Sequence, residues 1–375
     1  MYLKRKIKLP EESFFLFGPR GTGKTMMLKK RYPDALFIDL LDPKRYRELL
    51  AHPEYLFEIV KARPDDSIVI IDEIQKVPQL LETVHSIMEQ KRGIQFILTG
   101  SSARKLRKTS ANLLGGRAYN MKMLPFSYSE IKKEYNFDEI MQFGTIPVVL
   151  TARNRSKALS AYVDLYLREE IQNEGLSRNI ENFSRFLEAI SFSHASMLNI
   201  SNVARECGVP RKSVGVYLEM LKDLLIAETV PVFTKRAKRQ LISHDKFYFF
   251  DTGLFRNIRP KGPFDKVSEI DGAALEGLVF QHLKASIVFN GEVDKLCFWR
   301  TRSGNEVDFV LYGENGIMAI EVKNNDTVRS KDLAGLKSFK KDYPEAELFL
   351  LYRGEDTFVR DDIKVMPCEE YIRDI

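Results

Sequence analysis

The sequence predicts an α/β protein of more than one domain, and three observations carry that prediction. Phe14-Phe15-Leu16-Phe17 is an apolar run that ends in a glycine-rich loop and then a helical pattern. Ser67-Ile68-Val69-Ile70-Ile71-Asp72 is a β-branched run of the kind that forms a central parallel strand buried on both faces. In the C-terminal half, Leu296–Arg300, Glu306–Tyr312, Gly316–Lys323 and Ala346–Tyr352 are further short strands, with Leu333, Leu336 and Phe339 marking a helix between the last two. At 375 residues the chain is long for a single core, so two or three domains are expected.

The first stretch is Gly18-Pro19-Arg20-Gly21-Thr22-Gly23-Lys24-Thr25, followed by Met26 in the opening turn of a helix. Strand, glycine loop and helix in that order are the context that a phosphate-binding P-loop requires. Gly18, Gly21 and Gly23 let the backbone curl so that N–H groups point at phosphate oxygens, and the positive end of the helix adds to the attraction. Lys24 has the reach for the β- and γ-phosphates, and Thr25 carries the hydroxyl that ligates Mg²⁺.

Ala35–Leu40 is expected as a second strand, and residues 44–61 as a helical stretch with Tyr46, Leu49, Leu50 and Phe57 on its apolar side. Asp72 then sits at the C-terminal end of its strand, where open α/β sheets place their ligands. With Glu73 it forms a Walker B element, in which Asp72 holds Mg²⁺ through water and Glu73 orients and deprotonates the attacking water. The next strand, Ile94–Leu98, leads into Thr99-Gly100-Ser101-Ser102. Ser101 is the candidate sensor of the γ-phosphate, although serine also begins helices as an N-cap. Arg117, after Leu114-Gly115-Gly116, and Arg104 are each candidates for an arginine finger or sensor. A solvated arginine is the plain alternative for both, and the sequence does not choose.

Composition narrows the class. The hydrophobic share of 44% and charged share of 29% are those of a globular protein, and the formal charge of +6 permits a nucleic-acid partner without requiring one. Cys207, Cys297 and Cys368 are odd in number and scattered, which argues against a disulfide framework, and neither they nor the five histidines show metal-ligand spacing. The basic start, Met1-Tyr2-Leu3-Lys4-Arg5-Lys6, leads into no long apolar core, and no run approaches the ~20 residues of a membrane helix. A cytoplasmic protein with no membrane partner is expected.

Gly18 to Thr25, Ile68 to Glu73, Thr99 to Ser102 and Gly116-Arg117 followed by Leu124-Pro125-Phe126-Ser127 resemble the AAA+-type ATPases of prokaryotes in which the ATPase module is fused to a C-terminal domain of unknown function. The resemblance covers almost the whole chain, and Phe247-Tyr248-Phe249-Phe250-Asp251-Thr252-Gly253-Leu254 resembles the junction motif of the same family. It implies a parallel-sheet ATPase domain over residues 1–136, a helical lid over 137–182, and ATP rather than GTP as the nucleotide. An arginine finger acting in trans would need an oligomer, and no coiled-coil repeat defines one.

Residues 183–255 form the next expected unit. Ile200–Cys207 is a short helix stopped by Gly208, and Val214, Tyr217, Leu218 and Leu221 fall at i, i+3, i+4 and i+7 of a second. Helix, tight turn, helix is the helix-turn-helix pattern, and a hairpin of Thr229–Phe233 with Lys246–Phe250 would complete a winged form. Its tip, Lys235-Arg236-Ala237-Lys238-Arg239, carries four cations. Arg211 and Lys212 at the start of the second helix and Lys235, Arg236, Lys238 and Arg239 on the wing are the candidate contacts to double-stranded DNA. The same small fold also serves as a packing or dimerisation module.

Residues 256–375 form the last unit. Gly313-Glu314-Asn315-Gly316 suits a hairpin between the two strands that flank it. Pairing Tyr312 with Ile317 places Asp308 opposite Glu321 and Glu306 opposite Lys323, with Cβ atoms about 4.5–5.5 Å apart. Two opposed carboxylates destabilise a sheet unless a cation lies between them, and Mg²⁺ would supply one. Asp, then Glu-x-Lys after a turn, resembles the core of the PD-(D/E)xK, or restriction-endonuclease-like, nucleases. Glu276, in the helical stretch Leu275–Phe280, matches the extra acidic residue that many of them carry. The resemblance implies Mg²⁺ or Mn²⁺ on Asp308 and Glu321, water positioned by Lys323, and help from Glu276. A solvated cross-strand charge cluster is the alternative, and the fold often outlives the chemistry. The expectation is an Mg²⁺-dependent ATPase joined through a winged helix to a nuclease-like domain, either processing DNA or acting as a nucleotide-gated switch that never cuts it.

Overall fold

A computed structural model of the chain describes residues 3–102, 106, 114–167, 180–234, 244–291, 293–314 and 316–375. Arg104, the wing cations Lys235, Arg236, Lys238 and Arg239, and residues 168–179 of the expected lid lie outside the described residues. The chain divides into an N-terminal unit, Lys4–Leu124 with Lys222–Leu225, and a C-terminal unit built from Pro125–Leu221 and Ile226–Ile375.

The N-terminal unit is organised on a five-stranded sheet of order β2-β3-β4-β1-β5, with every pairing parallel. Its strands are β1 (Phe14–Phe17), β2 (Leu36–Asp39), β3 (Ile68–Asp72), β4 (Gln95–Gly100) and β5 (Tyr119–Lys122). The apolar runs of β1 and β3 are the buried centre of this sheet, as their continuity required. The helices are α1 (Lys24–Arg31), α2 (Pro43–Ala51), α3 (Tyr55–Lys61) and α4 (Leu80–Met88). Phe15, Phe17, Ile38, Leu49, Leu56, Val69, Ile71, Val84 and Leu98 belong to one core.

Two details depart from the sequence expectation. The single helical stretch at 44–61 is two helices, because Pro53 lacks an N–H and drives His52 out of the helical region, to φ −135° and ψ 74°. Strand β4 runs on through Thr99 and Gly100, two residues past its expected end, so Thr99 belongs to the sheet.

The C-terminal unit begins with the short helices α5 (Tyr128–Ile131), α6 (Phe137–Phe143), α7 (Pro147–Leu150) and α8 (Arg155–Ala161), then a π-helical turn, Tyr162–Leu167. Next come α9 (Ile180–Ser191), β6 (Ser196–Met197), α10 (Ile200–Cys207), α11 (Arg211–Asp223), β7 (Ala227–Val230) and β8 (Lys246–Phe249). Strands β6, β8 and β7 form a small antiparallel sheet in that order. Asn199 caps α10, and Gly208 ends it at φ 65°. Val214, Tyr217, Leu218 and Leu221 are the buried face of α11.

Pro231-Val232-Phe233 was expected in the hairpin and instead leaves it. Pro231 brings no ladder donor, and the backbone turns to pair with β9 (Lys295–Arg300), where the Phe233 N–H donates to Phe298 O at 2.6 Å. The Phe233 ring enters the core of the larger sheet.

That larger sheet has the order β13-β14-β12-β11-β10-β9. Besides β9 it contains β10 (Glu306–Gly313), β11 (Gly316–Val322), β12 (Glu347–Tyr352), β13 (Phe358–Arg360) and β14 (Ile363–Pro367). It carries α12 (Thr252–Ile258) and the 23-residue α13 (Val267–Phe289) before it, α14 (Ala334–Asp342) between β11 and β12, and α15 (Cys368–Asp374) at its end. The β13–β14 hairpin and α15 were not foreseen from the sequence.

The motif at 250–254 is a packing joint. Asp251 caps α12 by accepting the Leu254 N–H at 3.0 Å and also accepts the Thr145 N–H at 2.7 Å. A Cβ on Gly253 would stand 2.1 Å from Phe143 O, so only glycine fits there.

His282 on α13 joins α5 in a similar way. Its Nε2 accepts the Tyr128 N–H at 2.8 Å, and Nδ1 donates to Leu278 O at 2.7 Å, which defines a neutral ring. Burial pushes its pKa down to about 4. A depressed histidine pKa gives stability that is complete above the unfolded value and is lost as pH falls through roughly 6.5 toward 4. The stability difference between wild type and His282→Gln should therefore shrink across that window, by on the order of 3 kcal/mol, in urea melts at a series of pH values. A difference that is flat with pH would contradict it.

Candidate functional site

The loop Gly18–Gly23 leaves the C-terminal end of β1, between β4 and β5. Gly18 is required by crowding, since a Cβ there would lie 2.3 Å from Met123 O at the end of β5. Gly23 is required by conformation, since it holds φ 88° at the N-cap of α1. Thr22 is fully buried, and its hydroxyl donates to Pro19 O at 2.8 Å. Arg5, which the sequence did not mark, backs the loop by donating to Thr22 O at 3.1 Å and Leu124 O at 2.7 Å. The Lys24 ammonium lies inside the loop, donating to Gly18 O at 2.6 Å and Pro19 O at 3.2 Å. Arg20 and Met26 are exposed at its rim.

Around the loop the expected residues converge. The Thr25 hydroxyl donates to Asp72 Oδ2 at 2.7 Å, and Thr99 Oγ1 donates to Asp72 Oδ1. Thr99 Oγ1 in turn accepts the Glu73 N–H at 3.2 Å, so one threonine ties together the two acidic positions. Glu73 adopts φ 61° and ψ 45°, a left-handed conformation that costs a non-glycine residue on the order of 1–3 kcal/mol and turns the chain sharply out of β3. The Gln75 Nε2 donates to Glu73 Oε2 at 2.5 Å and to Ser101 Oγ at 3.2 Å, bridging two residues that the sequence could only pair by analogy. Thr25 and Asp72 offer hard oxygen donors side by side, a set that suits Mg²⁺. Arg117 is not brought to this loop; its guanidinium pairs with Glu89 at 2.6 Å and is half-exposed.

Arg211 and Lys212 begin α11 and are exposed.

The second candidate site lies in the C-terminal unit. The hairpin register is the expected one over its backbone pairs, from Gly313 opposite Gly316 to Phe309 opposite Ile320. On the other edge of β10 the pairing with β9 slips by one residue between Val307 and Val310, a bulge that re-aims the side chains at its position. Asp308 Oδ2 accepts the Val322 N–H at 2.9 Å, beyond the last backbone pair. Glu321 Oε1 accepts from Lys323 Nζ at 2.5 Å.

The two carboxylates assigned above to Mg²⁺ each meet an ammonium instead, Glu321 that of Lys323 and Asp308 that of Lys246. Lys246, the first residue of β8, is 2% exposed and reaches Glu306 Oε1 at 2.5 Å and both Glu276 Oε1 and Asp308 Oδ1 at 3.0 Å. The Tyr248 hydroxyl donates to Glu276 Oε1 at 2.6 Å, and Arg300 pairs with Glu306 Oε2 at 2.7 Å. Burial and then the charge of Asp308 push Glu276 up to about 7 against the pull of Lys246. The same two causes raise Glu321 well above the usual carboxylate range. For Lys246 burial opposes the charge, but Glu276 and its neighbours more than offset it and hold the amine protonated. The available signal for Lys246 was a lysine opening the aromatic strand Lys-Phe-Tyr-Phe, where alternation places it on the face of Tyr248.

Among the described residues, no group of three or more histidine, cysteine, aspartate or glutamate residues is arranged to hold a metal ion. Nor is any described helix long and apolar enough to cross a membrane.

The family model described as AAA domain matches residues 10–132, the stretch that contains every residue of the phosphate loop and its acidic partners. The match supports an AAA-type ATPase. Two further family models, both described as domains of unknown function, match residues 134–264 (DUF8612) and 271–371 (DUF4143). The chain is similar to an uncharacterized protein, MJ1544, of Methanocaldococcus jannaschii, 24% identical over 371 residues that cover 90% of this chain and 81% of that one. It is also similar to an uncharacterized protein of Haemophilus influenzae, 21% identical, covering 91% of this chain and 90% of the other. Among solved structures, the Walker-type ATPase PABY2304 of Pyrococcus abyssi matches with a TM-score of 0.43 and 15% identity, over 66% of this chain and 91% of that one.

Proposed function

We propose that this chain is an Mg²⁺-dependent ATPase whose nucleotide state governs how a winged helix-turn-helix meets double-stranded DNA. The observation that carries the ATPase reading is the convergence of Lys24, Thr25, Asp72, Thr99, Glu73 and Ser101 on the C-terminal edge of one parallel sheet. Lys24 and the loop amides hold the β- and γ-phosphates, and Thr25 and Asp72 would hold Mg²⁺, which would supply charge neutralisation to phosphoryl transfer. Glu73 takes the proton of the attacking water, and Ser101 senses the γ-phosphate. The Gln75 bridge keeps Glu73 and Ser101 in step. A γ-phosphate arriving at Ser101 competes for that bridge and is the step at which nucleotide state is read. An arginine finger in this scheme comes from a neighbouring subunit, for which the exposed side of Arg117 is the candidate.

For the output, the order α9, β6, α10, α11, β7, β8 and the sheet order β6-β8-β7 support a winged helix, with Arg211 and Lys212 exposed on its second helix. Between DNA cleavage and a switch that binds without cutting, Lys246 favours the switch, because it takes up Asp308, one of the two carboxylates that a nuclease would turn on its metal, together with Glu276.

One experiment tests the reading as a whole: ATP turnover, DNA affinity over a salt series, and DNA integrity with Mg²⁺ or Mn²⁺. Lys24→Ala should abolish turnover. DNA affinity should fall linearly with salt on logarithmic axes, and replacing Arg211 and Lys212 by alanine should reduce that slope by about 1 for each phosphate left without its cation. Unchanged turnover in Lys24→Ala would sink the ATPase reading, and salt-insensitive or absent binding would sink the DNA reading.

A further inference from the structure

Phenyl rings are ordinarily buried, yet Phe264 is 97% exposed, on a well-knit turn between α12 and α13. The Arg259 guanidinium holds one side of the turn, donating to Pro260 O and to Asp265 Oδ1, both at 2.8 Å. Asp265 Oδ2 closes the other side by accepting the Gly262 N–H at 2.7 Å. Val267, the first residue of α13, is exposed as well, so the turn presents an apolar tip to water. Lys261 and Lys266 flank Phe264 and are exposed, Lys266 sharing its charge with the exposed Glu269 at 3.1 Å.

The same guanidinium ties this turn to the wall of a cavity. Arg259 stacks on the Phe192 ring, 3.5 Å from its centroid. Phe192 follows the end of α9, is half-exposed, and lines a cavity of about 520 Å³ beside α9 and α10. Ala189 and Cys207 add apolar lining, and the charged groups there are Arg185, Glu188 and Glu206. Both glutamates are exposed, so two anions stand at the cavity where two cations stand at the tip. At its exposure, Phe264 does not enter the cavity of its own chain. A surface that carries both halves of a contact is self-complementary about a two-fold axis, since each half then meets the other on a second copy.

We propose that this face is a two-fold interface between copies of the chain, in which the Phe264 tip of each enters the Phe192 cavity of the other, with Lys261 and Lys266 against Glu188 and Glu206. The exchange removes two phenyl rings from water, which supplies the driving force. The charges at the rim select the partner and set the register. Tip and cavity both belong to the C-terminal unit, and the contact needs neither ATP hydrolysis nor DNA.

Sedimentation velocity of the nucleotide-free full-length protein over a concentration series tests it. Wild type should reach a dimer and no larger species. Phe264→Ala changes a side chain that the single copy leaves in water, so the chain should fold as before. It should weaken the dimer by about 100-fold, since each of the two exchanged rings is worth on the order of tenfold. A chain with Lys261→Glu and Lys266→Glu should be monomeric, as should one with Glu188→Lys and Glu206→Lys. An equimolar mixture of the two should form a heterodimer, because both exchanged contacts are then again between opposite charges. A dimer indifferent to Phe264→Ala, or charge variants that stay monomeric when mixed, would overturn the proposal. So would a wild type that assembles into rings or open chains, which a two-fold contact does not make. A monomeric wild type would overturn it too, and sedimentation of that monomer with phosphatidylglycerol vesicles, lost in Phe264→Ala, would assign the tip to a lipid surface instead.

Discussion

Glu73→Gln is expected to lower ATP turnover by about 10²–10⁴-fold, the usual worth of a positioned general base, while nucleotide binding is retained. The retained binding follows from the geometry. In the proposed mechanism the loop, Lys24, Thr25 and Asp72 hold the nucleotide and its metal, and none of them uses the Glu73 carboxylate to hold its place. Gln75 donates to Glu73 Oε2, and a glutamine at position 73 can still offer an amide oxygen to that contact, so the left-handed turn is preserved. Single-turnover hydrolysis beside equilibrium binding of a fluorescent ATP analogue separates the two effects. A variant that loses binding and turnover together would show that Glu73 shapes the site instead of acting on water.

The second large effect is on stability. Lys246→Met should destabilise the C-terminal unit by about 3–5 kcal/mol, the cost of stranding buried charge once one partner is removed. Three carboxylates lose their common cation at once, and Glu276 and Asp308 already repel each other. Pairing Lys246→Met with Glu276→Gln should return part of that loss, because one stranded charge is gone. The double-mutant cycle in urea melts should then be strongly non-additive. Additive losses, or a cost below about 1 kcal/mol for Lys246→Met, would mean that water reaches the cluster and screens it.

Much of the candidate phosphate site was legible in the sequence because its residues lie in short, local patterns. Gly18 to Thr25 specifies its own turn and helix start, and β3 declares itself by an unbroken β-branched run. Thr99 and Gln75 were harder to see. Thr99 works as the clasp on Asp72 and Glu73 only because β4 lies beside β3, and Gln75 matters only because Glu73 turns left-handed and brings position 75 up to Ser101.

The C-terminal cluster divides in the same way. Asp308, Glu321 and Lys323 were found through hairpin register, a local quantity set by a short turn. Lys246 lies about sixty residues away on another sheet, and nothing in the spacing of one strand reports which distant charge will be buried against it. The sequence by itself determined the α/β class, the strand, glycine loop and helix of residues 14–31, the place of Asp72 at the end of β3 and the pairing of β10 with β11, because periodicity and turn chemistry act over a few residues. Only the tertiary structure decided which cation neutralises Asp308, Glu276 and Glu306. That choice depends on which groups long-range packing removes from water together, and here it buried an ammonium among them.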